Sequence, residues 1–306
     1  MTLRSLAAVT GATLSIALAS SAHAQQSAYA IANGGTTLIS FSTDNPGAAV
    51  AVGDFTLGGV PTFLDAIDFR PLTGQLYGYL DATNTLYQVN KSTGALTAVT
   101  TGSGPTATNT NLLGIDFNPT IDRVRVVTEA GDNIVHNPNG GAPTAATGLF
   151  YPAGDPNENA PLGPRIVENA YTNNVALRFT STTQYGIDYG TDSLVTIANN
   201  AGTLNTVGSL GITIDKSAPY VGFDIFTTYT GINSAYAIFD TTAGTAPAFY
   251  SVDLSSGAAT LLGNFGSFQQ VYSLAITPTA AAPEPGTLAL AVLGGTALVA
   301  ARRRRR

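Results

Sequence analysis

Between Ser27 and Pro278 the chain alternates apolar and polar residues in short runs, broken at close intervals by Gly, Asn, Asp or Pro. Alternation with period two predicts half-buried β-strands, and no stretch carries the 3.6-residue period of an amphipathic helix. Tyr, Val, Ile, Phe and Thr fill the runs, and the punctuating residues predict turns. The runs are also copies of one another. Ser27-Ala28-Tyr29-Ala30-Ile31 returns letter for letter as Ser234-Ala235-Tyr236-Ala237-Ile238. Leu64 to Pro71 matches Leu112 to Pro119 at a spacing of 48; Tyr220 to Ile225 repeats the theme and Val271 to Pro278 gives a degenerate copy.

Each copy continues in the same order. An inner strand leads to a second strand (Gln75 to Leu80, Arg123 to Thr128, Gln184 to Tyr189, Ala235 to Phe239) and then to a hairpin whose turn holds Gly. The hairpins run from Leu86 to Val99 around Gly94, Ile134 to Ala146 around Gly140, Leu194 to Val207 around Gly202 and Phe249 to Leu262 around Gly257. A unit of about 50 residues with four strands is a propeller blade, which needs neighbours to cover its faces. The chain begins midway through a unit, at Ser27 to Gly53, and ends on a lone inner-strand copy at Val271 to Pro278. Joined, these complete one blade. The expectation is an all-β, five-bladed β-propeller closed by its two ends. A two-sheet sandwich would use similar strands but leaves the split unit unexplained. The third full unit is the least regular, and its inner strand is read as Ile166 to Asn174.

The segments outside the repeats carry a different signal. Arg4, an apolar run from Leu6 to Ala19 and Ala22-His23-Ala24 form a signal peptide over residues 1–24, with cleavage between Ala24 and Gln25. The repeat domain is then residues 25–279. Residues 280–306 hold Pro283-Glu284-Pro285, an apolar segment over 287–301, and the basic cluster Arg302, Arg303, Arg304, Arg305 and Arg306. The arginines predict a stop-transfer signal retained on the cytoplasmic side. The apolar segment is shorter than the roughly 20 residues of an ordinary membrane helix. An uncut membrane anchor is the plain alternative. Motif, order and position together resemble the PEP-CTERM sorting signal. That resemblance implies export, signal peptidase and exosortase as processing enzymes, transient membrane contact, and release to the cell surface or extracellular space. The Gly/Ala-Ile-Asp-Phe-Arg/Asn-Pro unit and Tyr171-Thr172-Asn173-Asn174 resemble the domain of unknown function 4394 family over most of Ala28 to Pro278. This resemblance implies a propeller-like repeat fold and supplies no catalytic residue.

Composition narrows the function classes. Seven basic and eighteen acidic residues lie between Gln25 and Ala282, so a nucleic-acid footprint is not expected. There is no Cys, which removes disulfides, thiol nucleophiles and thiolate metal sites. His136 is the only histidine after the signal peptide, so a His-rich metal site is not expected either. It is read as an ordinary strand residue.

Asp68, Asp116 and Asp224 occupy one equivalent position in three inner strands, where a propeller brings side chains toward its axis. The preferred reading is structural: each carboxylate bonds backbone groups of an adjacent loop and locks its blade to the next. The alternative is an axial calcium site, because hard cations take several oxygen ligands. Asp122, Arg123 and Arg125 place charges at one strand head as an ion pair, with an anionic ligand as the lesser reading. The Pro-rich stretch from Gly140 to Arg165 is read as a linker between blades, with a binding loop as the alternative. No residue is assigned a catalytic role, and no cofactor beyond that calcium. The expected function is an exosortase-processed surface or matrix protein with a binding or structural role linked to exopolysaccharide and biofilm. Its partner would be a matrix polysaccharide or another surface protein. The rival is a calcium-dependent hydrolase or lyase acting on extracellular esters, lactones or glycans.

Overall fold

The computed structural model of the chain describes residues 26–101, 104–108, 112–241 and 247–279. The signal peptide and its cleavage site at Ala24 and Gln25, the Pro283-Glu284-Pro285 motif, the apolar segment and the arginine cluster lie outside the described residues. Among the described residues, no helix is long and apolar enough to cross a membrane.

Five antiparallel blades surround one axis. The first contains β1 (Ser27–Ala32), β2 (Thr37–Ser42) and β3 (Asn45–Asp54). The second adds β4 (Thr56–Leu57), β5 (Val60–Pro61), β6 (Ala66–Arg70), β7 (Gln75–Leu80), β8 (Thr85–Val89) and β9 (Ala95–Thr101). The third is β10 (Leu113–Asn118), β11 (Arg123–Thr128), β12 (Asn133–His136) and β13 (Thr144–Ala145). The fourth is β14 (Ile166–Tyr171), β15 (Gln184–Asp188), β16 (Ser193–Ile197) and β17 (Leu204–Ser209). The fifth is β18 (Val221–Thr227), β19 (Asn233–Phe239), β20 (Ala248–Val252) and β21 (Ala259–Asn264). The last strand, β22 (Tyr272–Ile276), pairs antiparallel with β1 and becomes the inner strand of the first blade.

The split blade therefore closes the ring as expected. Two details differ. The fourth inner strand ends at Tyr171 rather than continuing to Asn174, because Asn173 turns through a positive φ of 60°. The second blade has six strands instead of four, since the β4–β5 hairpin pairs in parallel with the outer edge of β9. That hairpin covers an edge that would otherwise present unpaired backbone groups.

Five clusters of buried apolar side chains hold the ring together, and each bridges neighbouring blades. Between the fifth and first blades, Phe41 stacks edge-on against Phe249 and Phe265, with ring centroids 5.2 and 4.9 Å apart. Between the second and third, Tyr77 meets Phe117 at 5.2 Å. A fully buried aromatic side chain stabilises by about 1.5–3 kcal/mol. Because half of each contact comes from the next blade, the energy belongs to the ring and not to any blade alone.

Candidate functional site

The inner strands can be aligned by their hydrogen bonds. The Oδ2 atom of Asp68 accepts the backbone N–H of Phe117 at 2.8 Å, that of Asp116 accepts Tyr171 at 2.9 Å, and that of Asp224 accepts Ile276 at 2.5 Å. Each bond runs to the residue just after the equivalent position in the following blade. The corresponding positions in the fourth and first blades are Ala170 and Ala275. The blade-locking role read from the sequence is present, with one correction: the acceptor reaches the next inner strand and not an adjacent loop. The reason is geometric, since inner strands are each other's nearest neighbours around a narrow axis. Asp68 and Asp224 also accept the N–H of the residue that follows them, Phe69 and Ile225, at 2.6 Å.

All three carboxyl groups are buried, and one oxygen of each lies within 4.8 Å of the others. Burial raises Asp68 well above the usual carboxylate range, and the charge of Asp224 adds to it. Asp116 is raised by burial and then by the charges of Asp68 and Asp224. Burial brings Asp224 to about 7 despite its bonds to Ile276 and Ile225.

A fourth acid joins them. Glu168 stands two residues before Ala170, on the same side of its strand, and is 2% exposed. Burial raises it well above its ordinary value; a hydrogen bond from Ser273 opposes this, and the charges of Asp224 and Asp68 reinforce it. The equivalent positions of the other inner strands are Ala66, Gly114, Gly222 and Ser273, all small. A Cβ on Gly114 would lie 2.4 Å from the Glu168 carboxylate, so the neighbouring glycine makes room for this acid. Sequence reasoning missed Glu168. Its signal was a single long acidic side chain at a position otherwise given to small residues.

One residue further toward the strand starts, a cavity of about 460 Å³ opens at the axis and draws lining residues from all five blades. Asp65, Leu113, Val167, Val221 and Tyr272 occupy equivalent positions around it. The ring of Tyr220 is tilted at 31° to that of Tyr272, with centroids 5.9 Å apart, and Phe63 lines the same cavity, 42% exposed. The hydroxyl of Tyr272 donates to the Leu64 carbonyl at 3.0 Å. Asp65 accepts the N–H of Asp81 at 2.7 Å, and burial raises its pKa.

The other candidates are placed away from the axial mouth. His136 is buried in β12 with its ring 5.3 Å from that of Tyr79, and its Nε2 has no hydrogen-bond partner among the described residues. Asp122 pairs with Arg70 of the second blade, so the expected ion pair spans two blades and does not join Asp122 to Arg123 or Arg125. Arg125 is buried and bonded to Asn133 and to Asn200 of the fourth blade, both at 2.8 Å, while Arg123 bonds backbone carbonyls of Ile121 and Asp122. The Gly140–Arg165 stretch bridges the third and fourth blades. Within it, Tyr151 donates to Asp188 at 2.5 Å, and Asp155 accepts the N–H and hydroxyl of Thr206 at 2.8 and 2.6 Å.

Solved structures to which the chain shows similarity include a nidogen/laminin complex, at 10% identity and a TM-score of 0.44 over 83% of this chain and 98% of that one. A putative 6-phosphogluconolactonase from Bacteroides uniformis is 14% identical, with a TM-score of 0.39 over 81% and 83% of the two chains. No curated protein matched the sequence. Residues 281–306 match the PEP-CTERM protein-sorting motif, which marks proteins exported to the cell surface after processing by exosortase at the membrane. Residues 37–275, well over half the chain, match the model of the domain of unknown function DUF4394, and the protein belongs to that family.

Proposed function

We propose that this exported protein is a non-enzymatic binding module that holds a matrix polysaccharide at the axial mouth of its propeller. The observation that carries the reading is the mouth itself: two tyrosine rings tilted at 31° to one another and an exposed phenylalanine line the same cavity as Asp65. Flat aromatic faces cover the apolar face of a sugar ring, while polar groups at the edge take its hydroxyls. The weakly charged surface suits a neutral, hydroxyl-rich partner, since only 10% of the whole chain is Asp, Glu, Lys or Arg. Export to the cell surface is consistent with a partner among exopolysaccharide and biofilm polymers.

The hydrolase or lyase reading has less support. A catalytic metal needs a position open to substrate, whereas Asp68, Asp116 and Asp224 are buried and bonded to backbone N–H groups.

The test is retention on exopolysaccharide purified from the producing cells, with Phe63→Ala and Tyr220→Ala combined. The expected result is binding by the parent and at least about tenfold weaker binding by the variant, the loss of one to two aromatic contacts. The unfolding temperature should stay nearly unchanged, because Phe63 is exposed and Tyr220 is only partly buried. A parent that fails to bind, or a double variant that binds equally well, would sink the proposal.

A further inference from the structure

We infer that the propeller axis is a site for one calcium ion, with Asp68, Asp116 and Asp224 as carboxylate ligands and Glu168 closing it on the side of the mouth. The three aspartate oxygens lie within 4.8 Å of one another. Calcium–oxygen bonds are about 2.3–2.6 Å, so ligands on opposite sides of one ion stand about 5 Å apart, and the spacing fits. Each oxygen that accepts a backbone N–H keeps a second lone pair for a metal. The latch and the site are therefore compatible.

Glu168 is the independent observation. It is 98% buried by its 2% exposure, and its Oε1 has no hydrogen-bond partner among the described residues. Buried polar oxygens are normally satisfied, and a bare carboxylate oxygen is more costly to bury than a neutral group. The other oxygen of Glu168, Oε2, packs against Gly114 of the neighbouring inner strand, two residues before Asp116 on the mouth side, where an added Cβ would lie 2.4 Å away. Among the described residues, none of the four acids takes part in an ion pair with Lys or Arg. The ion pairs found among the described residues, Arg70–Asp122, Arg165–Glu129 and Lys216–Asp192, are elsewhere. Four buried carboxyls at one axis, without an ion-pair partner among the described residues, line an oxygen-rich space suited to a cation.

The donor set selects the ion. All candidate ligands are hard oxygens, and there is no cysteine or histidine in the cluster for zinc or copper. Magnesium prefers a smaller octahedral shell and keeps several waters, whereas calcium accepts an irregular protein cage. The inference does not depend on what the mouth binds.

The test uses the exported protein stripped with chelator and titrated with calcium in a calorimeter, with thermal unfolding followed alongside. The expected result is one ion per chain and, at calcium about 100-fold above Kd, a rise in Tm on the order of 5 °C. Glu168→Gln preserves size and tests the site without cutting an aspartate latch; it should stay folded and bind calcium at least about tenfold more weakly. A parent with neither binding heat nor a calcium-dependent Tm overturns the inference. So does a Glu168→Gln protein that binds calcium as tightly as the parent, or equal stabilisation by magnesium.

Discussion

At the residue scale, His136 shows how burial alone sets an acid limit. Its ring is 2% exposed, and burial lowers its pKa to about 4. An unfolded histidine titrates near 6.5, so below that pH the unfolded chain takes a proton that the folded chain refuses. The histidine's contribution is therefore complete above about pH 6.5 and is lost as pH falls toward 4, with a ceiling of about 3 kcal/mol. Asp81 works in the opposite sense. Burial and the charges of Asp65 and Asp132 raise it to about 6, so its contribution is greatest at low pH and fades as pH rises through about 6. A His136→Gln protein should lose less stability than the parent between about pH 6.5 and 4. Chemical denaturation at both pH values in parallel measures this, and equal losses would contradict it. His136 was legible in the sequence as a strand residue, but its pKa was not, because burial is a property of the neighbouring Tyr79 and its blade.

At the element scale, the outer hairpins repeat one contact. Gly257 has a φ of +84°, and a Cβ there would meet the Gly208 carbonyl oxygen at 2.5 Å; Gly94 stands at +77° against Asp54 in the same way. These glycines turn the hairpin and also let it lie flat against the preceding blade. Gly140, read as their counterpart, has a φ of +105° but nothing within 4 Å of its would-be Cβ. Gly257→Ala should therefore cost more than Gly140→Ala, about 1–3 kcal/mol for the strained and crowded site. Equilibrium urea unfolding of the two variants is the check, and a larger loss at Gly140 would refute the blade-contact argument. The hairpin turns were visible from composition. Their different roles were not, since the short β13 strand and the loop after it leave Gly140 without a facing blade.

At the scale of the whole molecule, closure joins chain segments more than 230 residues apart, through β1 and β22. Thr279, the last described residue, still bonds the Thr227 carbonyl of the fifth blade at 2.6 Å. A chain ending after Thr279 should keep the parent Tm to within about 2 °C, roughly the shift of 1 kcal/mol or less in a domain of this size. One ending before Tyr272 removes an inner strand, opens the ring and should unfold without a cooperative transition. Calorimetry on both truncations decides, and a cooperative transition in the shorter chain would show that closure is dispensable.

The sequence by itself determined whatever is repeated. Alternation marked the strands, the copied Ile-Asp-Phe units marked the inner strands, and the half-unit at each end required closure. These features are local, and each blade states them again. It also carried the sorting motif over residues 281–306. Only the tertiary structure decided which side chains meet at the axis. Asp68, Asp116 and Asp224 were legible as equivalent positions, yet their bonds to the next inner strand depend on how blades stack. Glu168 appears once, in the least regular repeat, and Asp65, Phe63, Tyr220 and Tyr272 come from different registers. Their convergence depends on ring closure, which places residues distant in sequence around one narrow axis.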